Sequence, residues 1–310
     1  MTTPPQKIAV LLMAYGTPRS KEEILPYYTD IRRGRAPTDD QLRDLSNRYE
    51  AIGGLSPLKQ LTEAQQSALQ SALDQKCPDE YTVFLGLKHA TPFIEEAVET
   101  IAAQGFTKIV ALVLAPHFSS YSIGQYVGRA EEAASKHAIT VTAVTSWATE
   151  PAFINFLASD MKNKLSTMPQ QTKVLFTAHS LPQRIIDAGD PYPDELRSTA
   201  QAVATAVGLS QWSQWSIAWQ SAGRTPEPWI GPDILTVIQD LGASRSKDEP
   251  VDGVLVCACG FVADHLEVLY DLDIEAEHQA QSLNLAFART KCVNDDAFVM
   301  SALAERVIKA

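Results

Sequence analysis

The sequence predicts an α/β fold built on parallel β-sheets. Short runs rich in valine, isoleucine and leucine alternate with longer amphipathic segments along the 310 residues, and this alternation is typical of strand–helix–strand units. The short runs are apolar throughout, as expected of strands that helices cover on both faces. At roughly 150 residues per domain, the length corresponds to two domains.

Seven segments have the composition of buried strands. They are residues 7–14, 81–87, 108–115, 139–145, 173–178, 215–220 and 252–258. Amphipathic patterns predict helices at 20–32, 61–76, 92–104, 122–137, 151–166, 193–207, 231–241, 263–275 and 294–308. Four strands precede residue 150 and at least three follow it, so we predict an N-terminal domain 1–150 and a C-terminal domain 151–310.

Composition excludes several classes of protein. The chain has 26 Lys+Arg against 37 Asp+Glu and a net charge of −11, which disfavours nucleic acid as a partner because phosphate binding needs a dense basic surface. Its four cysteines are too few for a disulfide framework and indicate reduced thiols in the cytoplasm. We see neither a signal peptide nor an apolar run of about 20 residues, so no stable membrane insertion is expected.

Histidines stand near the carboxyl ends of predicted strands, where open α/β sheets bind ligands. His89, His117 and His179 each lie within two residues of such an end, and His265 follows another at a greater distance. Imidazole titrates near neutrality, so His179 is a candidate metal ligand or general base. A core histidine bonded to the backbone is the alternative for His179.

An acidic row forms the second candidate site. Glu267, Asp271 and Glu275 are four residues apart, which places them on one face of an α-helix, and Asp264 falls near the same stripe. Such a row suits a divalent metal ion. On spacing alone, a solvated helix face is the more common interpretation of such a row.

Long motifs in the sequence resemble the ferrochelatase family, from about residue 7 to residue 308. The most specific is LFTAHSLPQRIIDAGDPY (175–192). Further matches are MAYGTP (13–18), YYTDIRRGR (27–35), RYEAIGGLSPL (48–58), GLKH (86–89), LAPHFSSYSIGQY (114–126), WQSAGRTPEPWIGPD (219–233) and GFVADHLEVLYDLD (260–273). Tyr15 stands where protoporphyrin-type members usually carry methionine, so the chain is most similar to the coproporphyrin type of Gram-positive bacteria.

The resemblance implies a chelatase-like fold and a metal-inserting lyase. Two similar Rossmann-like domains, each with a parallel four-stranded sheet flanked by helices, are expected to enclose a porphyrin cleft, with the last helix packing back on the first domain. The implied reaction inserts Fe²⁺ into coproporphyrin III to give Fe-coproporphyrin (coproheme) in haem biosynthesis. A monomer is expected, with transient contacts to neighbouring enzymes of that pathway.

Site residues also follow from the resemblance. His179 and Glu267 match the catalytic pair that faces the metal, while Asp271 and Glu275 extend the row toward a position that allows a second divalent cation such as Mg²⁺. The expected substrate-binding residues are Tyr15, which can ligate the product iron, together with Arg32, Arg48, Tyr49, Ser56, Lys88, His89, Tyr126 and Trp229.

The four cysteines need a separate interpretation. Cys257 and Cys259 are interpreted as small buried hydrophobic residues. Because they and Cys292 lie in segments that depart from the family pattern, an iron–sulfur cluster recruiting them and Cys77 stays open, although we do not expect one.

Four other functions are alternatives to a coproporphyrin III ferrochelatase. The first is a protoporphyrin IX ferrochelatase, and the second is a haem-binding or haem-delivery protein without turnover. A cobalt chelatase acting on sirohydrochlorin is disfavoured, because those enzymes tend to carry a second histidine where Glu267 stands. A sugar- or nucleotide-binding protein is disfavoured by the absence of a phosphate-binding loop.

Overall fold

The chain forms two compact units. The structure is a computed structural model that describes residues 7–210, 212–223, 225–243 and 251–310. The first unit extends to Trp147 and includes Asn294–Ala310, and the second spans Ala148–Val293. No helix within the described ranges has both the length and the apolar composition needed to span a bilayer.

The first unit is built on a four-stranded parallel sheet of order β2-β1-β3-β4. The strands are β1 (Ile8–Ala14), β2 (Tyr81–Leu87), β3 (Lys108–Val113) and β4 (Thr140–Val144). The helices are α1 (Ile24–Ile31), α2 (Asp39–Ala51), α3 (Leu58–Lys76), α4 (Ile94–Ala103) and α5 (Ile123–Ser135). In register, Leu11 of β1 pairs with Phe84 and Ala111, and α4 and α5 close the core on one face of the sheet.

The second unit repeats this architecture with a parallel sheet of order β6-β5-β7-β8. Its strands are β5 (Thr172–His179), β6 (Trp215–Gln220), β7 (Gly253–Cys257) and β8 (Ala286–Arg289). The helices are α6 (Pro151–Leu165), α7 (Gln183–Asp187), α8 (Tyr192–Val207), α9 (Ile234–Ala243), α10 (Leu266–Tyr270) and α11 (Glu277–Ser282). His179 lies beside Gln220 in the β5–β6 register. Two parallel sheets flanked by helices confirm the predicted fold class.

The last helix, α12 (Ala297–Lys309), belongs to the first unit. Lys76 at the end of α3 pairs with Glu305 of α12 at 2.9 Å. The Gln65 amide donates to the Asn294 carbonyl just before the helix, at 3.0 Å. These contacts fix the C-terminal segment against α3.

Several elements differ from the sequence prediction. Helix α2 was not predicted, although Thr38 and Gln41 form a capping box at its start. Strand β8 was also absent from the predicted strands. The predicted helix 263–275 is wrong in extent and in winding: His265 caps a helix that begins at Leu266, and Asp271–Ala276 winds as a π-helix before α11.

Candidate active site

His179 is the last residue of β5, at the carboxyl end of the second sheet. Its Nδ1 bonds to the Ser180 carbonyl, which can only accept, so Nδ1 carries the proton of the neutral ring. Nε2 then presents a lone pair, 3.7 Å from Oε1 of Glu267. Both side chains are about one-third exposed, at 34% and 38%. The imidazole and the carboxylate therefore share an accessible site where either can take a proton or a metal ion.

The segment that carries His179 is fixed on three sides. The Ser180 amide donates to the Gln220 carbonyl at 2.8 Å, and its hydroxyl donates to the Ile230 carbonyl at 2.7 Å. The buried Tyr192 hydroxyl donates to the His179 carbonyl at 3.1 Å. These bonds hold the Ser180 carbonyl in place, which in turn holds the imidazole ring.

Glu267 is placed by the N-terminal cap of α10. The backbone amide of Glu267 donates to Nδ1 of His265 at 3.1 Å. The side-chain amide of Gln220 donates to the backbone carbonyl of Glu267 at 3.2 Å. Burial lowers the pKa of His265, which keeps its ring neutral as this cap requires. Sequence reasoning noted His265 only as a residue beyond a strand and missed its capping role.

The acidic row continues from Glu267 into the π-helix. Asp271 is buried, with 7% of its surface exposed, and its carboxylate accepts a short hydrogen bond from the Ser221 hydroxyl. Glu275, at the far end, is half-buried. Residues four apart drift by about 40° per step along an α-helix, whereas a π-helix has more residues per turn, which offsets the drift. The change in winding therefore reduces the net angular drift of the backbone between Glu267 and Glu275.

Asp264 does not extend this row, which corrects the sequence expectation. It precedes the helix and pairs with Arg289 at 2.9 Å. The same guanidinium bonds to both oxygens of Asp273 at 2.5 and 2.9 Å. Arg289, which sequence reasoning missed, therefore pairs with two carboxylates and ties β8 to the π-helix.

The structure brings together a pair of candidate ligands but no metal cage. Across the described ranges, no three or more His, Cys, Asp or Glu side chains are grouped closely enough to hold one metal ion. His179, Glu267, Asp271 and Glu275 thus form a row and not a single four-ligand centre.

The cysteines are free thiols in the structure. Cys257, Cys259 and Cys292 are buried in the second unit, and Cys77 is half-buried in the first. Burial raises the pKa of Cys259 and of Cys292 well above the ordinary thiol value. This favours the protonated thiol over the thiolate that binds metals.

Tyr15 and His89 lie together at the carboxyl edge of the first sheet. Tyr15 directly follows β1 and is 43% exposed, with its ring centroid 4.6 Å from that of His89. His89 Nδ1 bonds to Asp30 at 2.7 Å, a partner that sequence reasoning missed. Burial lowers the pKa of His89. His117 is buried, and burial lowers its pKa to about 3, so this third strand-end histidine is neutral.

Lys88 is a partly desolvated cation next to His89. Its Nζ donates to Gln125 at 2.8 Å and lies 5.0 Å from the centroid of the buried Tyr126 ring. Burial lowers the pKa of Lys88 to about 8. Arg129 donates to the Lys88 carbonyl at 2.7 Å and pairs with Glu95. The carboxyl edge of the first sheet thus carries a cation that loses its charge as the pH rises above about 8.

The remaining predicted substrate-binding residues lie in both units. In the first unit, Arg32 lies over the Tyr28 ring at 5.7 Å, and Arg48 pairs with Asp44 at 3.4 Å.

Tyr49 and Ser56 are buried, and the Ser56 hydroxyl accepts from the Leu58 amide at the start of α3. In the second unit, the Trp229 ring centroid lies 6.4 Å from that of His179, and its indole donates to Thr225 at 2.9 Å. Arg224 of the same motif lies outside the described residues.

Comparisons with known proteins show which proteins this chain is similar to. A family model described as ferrochelatase matches residues 7–310. A coproporphyrin III ferrochelatase of Halalkalibacterium halodurans is 45% identical over 93% of this chain and 92% of its own length. One of Bacillus subtilis is 42% identical over 98% of each chain.

Among solved structures, the chain is similar to SirB from Bacillus subtilis with Fe³⁺, with a TM-score of 0.56 and 14% identity, over 98% of this chain and 95% of that one. A sirohydrochlorin chelatase SirB from Bacillus subtilis subspecies spizizenii in complex with cobalt gives a TM-score of 0.55 at 14% identity, over the same shares of the two chains. At this identity the likeness concerns the fold alone.

Proposed function

The chain belongs to the ferrochelatase family, and we propose that it is a lyase that inserts ferrous iron into coproporphyrin III to give coproheme in haem biosynthesis. Curated relatives that are 42–45% identical over nearly their full length carry the coproporphyrin III name. The observation that carries the mechanism is the His179–Glu267 pair at the carboxyl end of the second sheet.

His179 is the proposed base for the pyrrole protons. Insertion removes two N–H protons from the macrocycle, and Nε2 of His179 presents the lone pair that can accept one. The Nδ1–H bond to the Ser180 carbonyl stabilises the imidazolium that forms. The Glu267 carboxylate, 3.7 Å away, is the proposed acceptor of the second proton.

The acidic row is the proposed route for iron. Carboxylate oxygens suit hard and borderline divalent ions, and a row of separate groups can hand Fe²⁺ from Glu275 through Asp271 to Glu267. The half-buried Glu275 is also where we place a second divalent cation such as Mg²⁺. A single high-affinity cage would retain iron and oppose its transfer.

The macrocycle is proposed to be held by its carboxylates and its faces. A flat porphyrin shields its nitrogen lone pairs, and binding it bent exposes them if contacts elsewhere offset the strain. Arg32, Arg48 and Lys88 supply cations for the carboxylates. Trp229 and Tyr126 supply aromatic surface, and Tyr15 supplies a phenolic oxygen for the iron of the product. Tyr49, Ser56 and His89 complete the proposed set.

We propose no iron–sulfur cluster and no lasting protein partner. The raised thiol pKa values of Cys259 and Cys292 disfavour cluster ligation. The net negative charge supports a monomer with only transient contacts to neighbouring pathway enzymes. The small number of cysteines supports a location in the cytoplasm.

The test is an anaerobic assay of purified protein with Fe²⁺ and either coproporphyrin III or protoporphyrin IX. We expect the free-base absorption spectrum to be replaced by that of the metalloporphyrin over many turnovers, with the higher initial rate for coproporphyrin III. A faster rate with protoporphyrin IX would overturn the substrate assignment. Haem binding without any turnover would identify a carrier.

A further inference from the structure

Ser221 has an uncommon backbone conformation next to the acidic row. It directly follows β6, and its φ of +59° lies in the left-handed region. This region is energetically costly for a residue with a Cβ atom. Strain of this kind persists where surrounding contacts enforce it, and it often coincides with a functional requirement.

The end of β6 contacts the acidic row at two successive turns. Gln220, which is 1% exposed, donates to the carbonyl of Glu267 at 3.2 Å. Ser221 donates its hydroxyl to Oδ2 of Asp271, the first residue of the π-helix. One bond places the backbone that carries Glu267, while the other acts directly on a carboxylate of the row.

The second bond has a chemical consequence for Asp271. A hydroxyl that donates to Oδ2 restricts the rotation of the Asp271 carboxylate and so sets the direction of its oxygens. A hydrogen bond to a charged acceptor is also stronger than one between neutral groups. The left-handed backbone turns the chain out of the strand direction at Ser221, which is how this side chain meets the helix.

We propose that Ser221 is a positioning residue for iron delivery, which orients the Asp271 carboxylate between Glu275 and the His179–Glu267 pair. The inference rests on the proposed function. Ser221 touches neither the macrocycle nor the metal in this role. It acts through Asp271 alone.

The test compares Ser221→Ala and Ser221→Gly with the unaltered chain in steady-state iron insertion. Both variants remove the hydroxyl, and glycine also relieves the strained φ. We expect each to raise KM for Fe²⁺ by about tenfold or more, with kcat and the KM for coproporphyrin III nearly unchanged. In an Asp271→Asn background, Ser221→Ala is expected to add no further rise. Ser198→Ala, which removes a hydroxyl bonded within α8, is the matched control and should change none of these values.

Three results would overturn the inference while leaving iron insertion intact. They are an unchanged KM for Fe²⁺ in both variants, a defect in Ser221→Ala that Ser221→Gly lacks, and a fall in kcat and in both affinities together with a lower Tm. The second result would assign the role to the backbone, and the third to folding. Failure of the unaltered chain to insert iron would instead overturn the proposed function, and this inference with it.

Discussion

At the scale of single residues, the site depends on which ring nitrogen carries a proton. His179 and His265 lie in the same unit and hold opposite tautomers, because Nδ1 of His179 donates to a carbonyl whereas Nδ1 of His265 accepts from an amide. Nε2 of His179 is thereby the ring nitrogen that faces Glu267. Both histidines follow strands in the sequence, so sequence reasoning could identify the candidates but could not assign their protons.

The lowered pKa of Lys88 predicts that porphyrin binding depends on pH. Its pKa of about 8 means that the ammonium is charged below this pH and loses its proton as the pH rises through it. If Lys88 pairs with a carboxylate of the macrocycle, Kd for metal-free coproporphyrin III should be flat below pH 7 and should rise by up to about tenfold per pH unit above 8. Fluorescence titration from pH 6 to pH 9.5 measures this.

Lys88→Arg is the matched control, because a guanidinium stays protonated over this range. Its Kd should not respond to pH. The same alkaline weakening in Lys88→Arg would exclude Lys88 as the titrating group.

We expect substitution of Tyr15 to change the absorption spectrum and the release of the product, and not the insertion of iron. Tyr15→Phe keeps the ring that packs against His89 at 4.6 Å and removes only the phenolic oxygen. We expect iron insertion to continue, with an altered absorption spectrum of the bound product and faster product release. Tyr15→Met should behave in the same way. An identical product spectrum in both variants would exclude Tyr15 as an iron ligand.

At the scale of elements, the strands were easier to predict than the segments around them. Continuous apolar runs identified seven strands, whereas β8 has only four residues, none of them fully buried, and gave no such signal. Helix α2 carries few apolar residues, although its capping box and the spacing of Leu42, Leu45 and Tyr49 were present in the sequence. Those two signals together would have identified it.

The π-helix could not be predicted from local sequence. The residues that contact it come from distant positions: Arg289 bonds to Asp273, and Ser221 bonds to Asp271. A spacing of four predicted a carboxylate row, but it carried no information on the π-helical winding or on these tertiary contacts. Asp264, which the α-helical pattern placed on the row, is instead committed to Arg289.

Gly260 packs closely against the end of β5, the strand that carries His179. A Cβ atom at Gly260 would lie 2.3 Å from the Ala178 Cβ and 2.6 Å from its Cα, directly before His179. Gly260→Ala must therefore displace backbone, and we expect it to lower the free energy of unfolding by about 1–3 kcal/mol and to reduce iron insertion. Urea unfolding and the insertion assay measure the two effects.

Gly128→Ala serves as the control for this substitution. Gly128 lies inside α5 with no atom within 4 Å of an added Cβ, so alanine should stabilise the chain by about 0.5–1 kcal/mol. Equal stability of the two variants would contradict the close packing at Gly260.

At the scale of the whole molecule, the two units share one topology. In each, the first strand lies between the second and the third, in the orders β2-β1-β3-β4 and β6-β5-β7-β8. Tyr15 follows the first strand of one unit, and His179 ends the first strand of the other. In sheets of this order, ligands bind where the first and third strands diverge. No internal repeat was evident in the sequence, because equivalent positions carry different residues and only the strand order is repeated.

The proposed reaction depends on the imidazole of His179. Its most direct test is the rate of iron insertion by His179→Ala, with coproporphyrin III binding measured on the same preparation. His278→Ala, at an exposed histidine on α11, is the matched control. We predict that His179→Ala binds coproporphyrin III about as tightly as the unaltered chain but inserts iron at least about 100-fold more slowly. Insertion by His179→Ala at the rate of the His278→Ala control would contradict the assignment of His179 as the base.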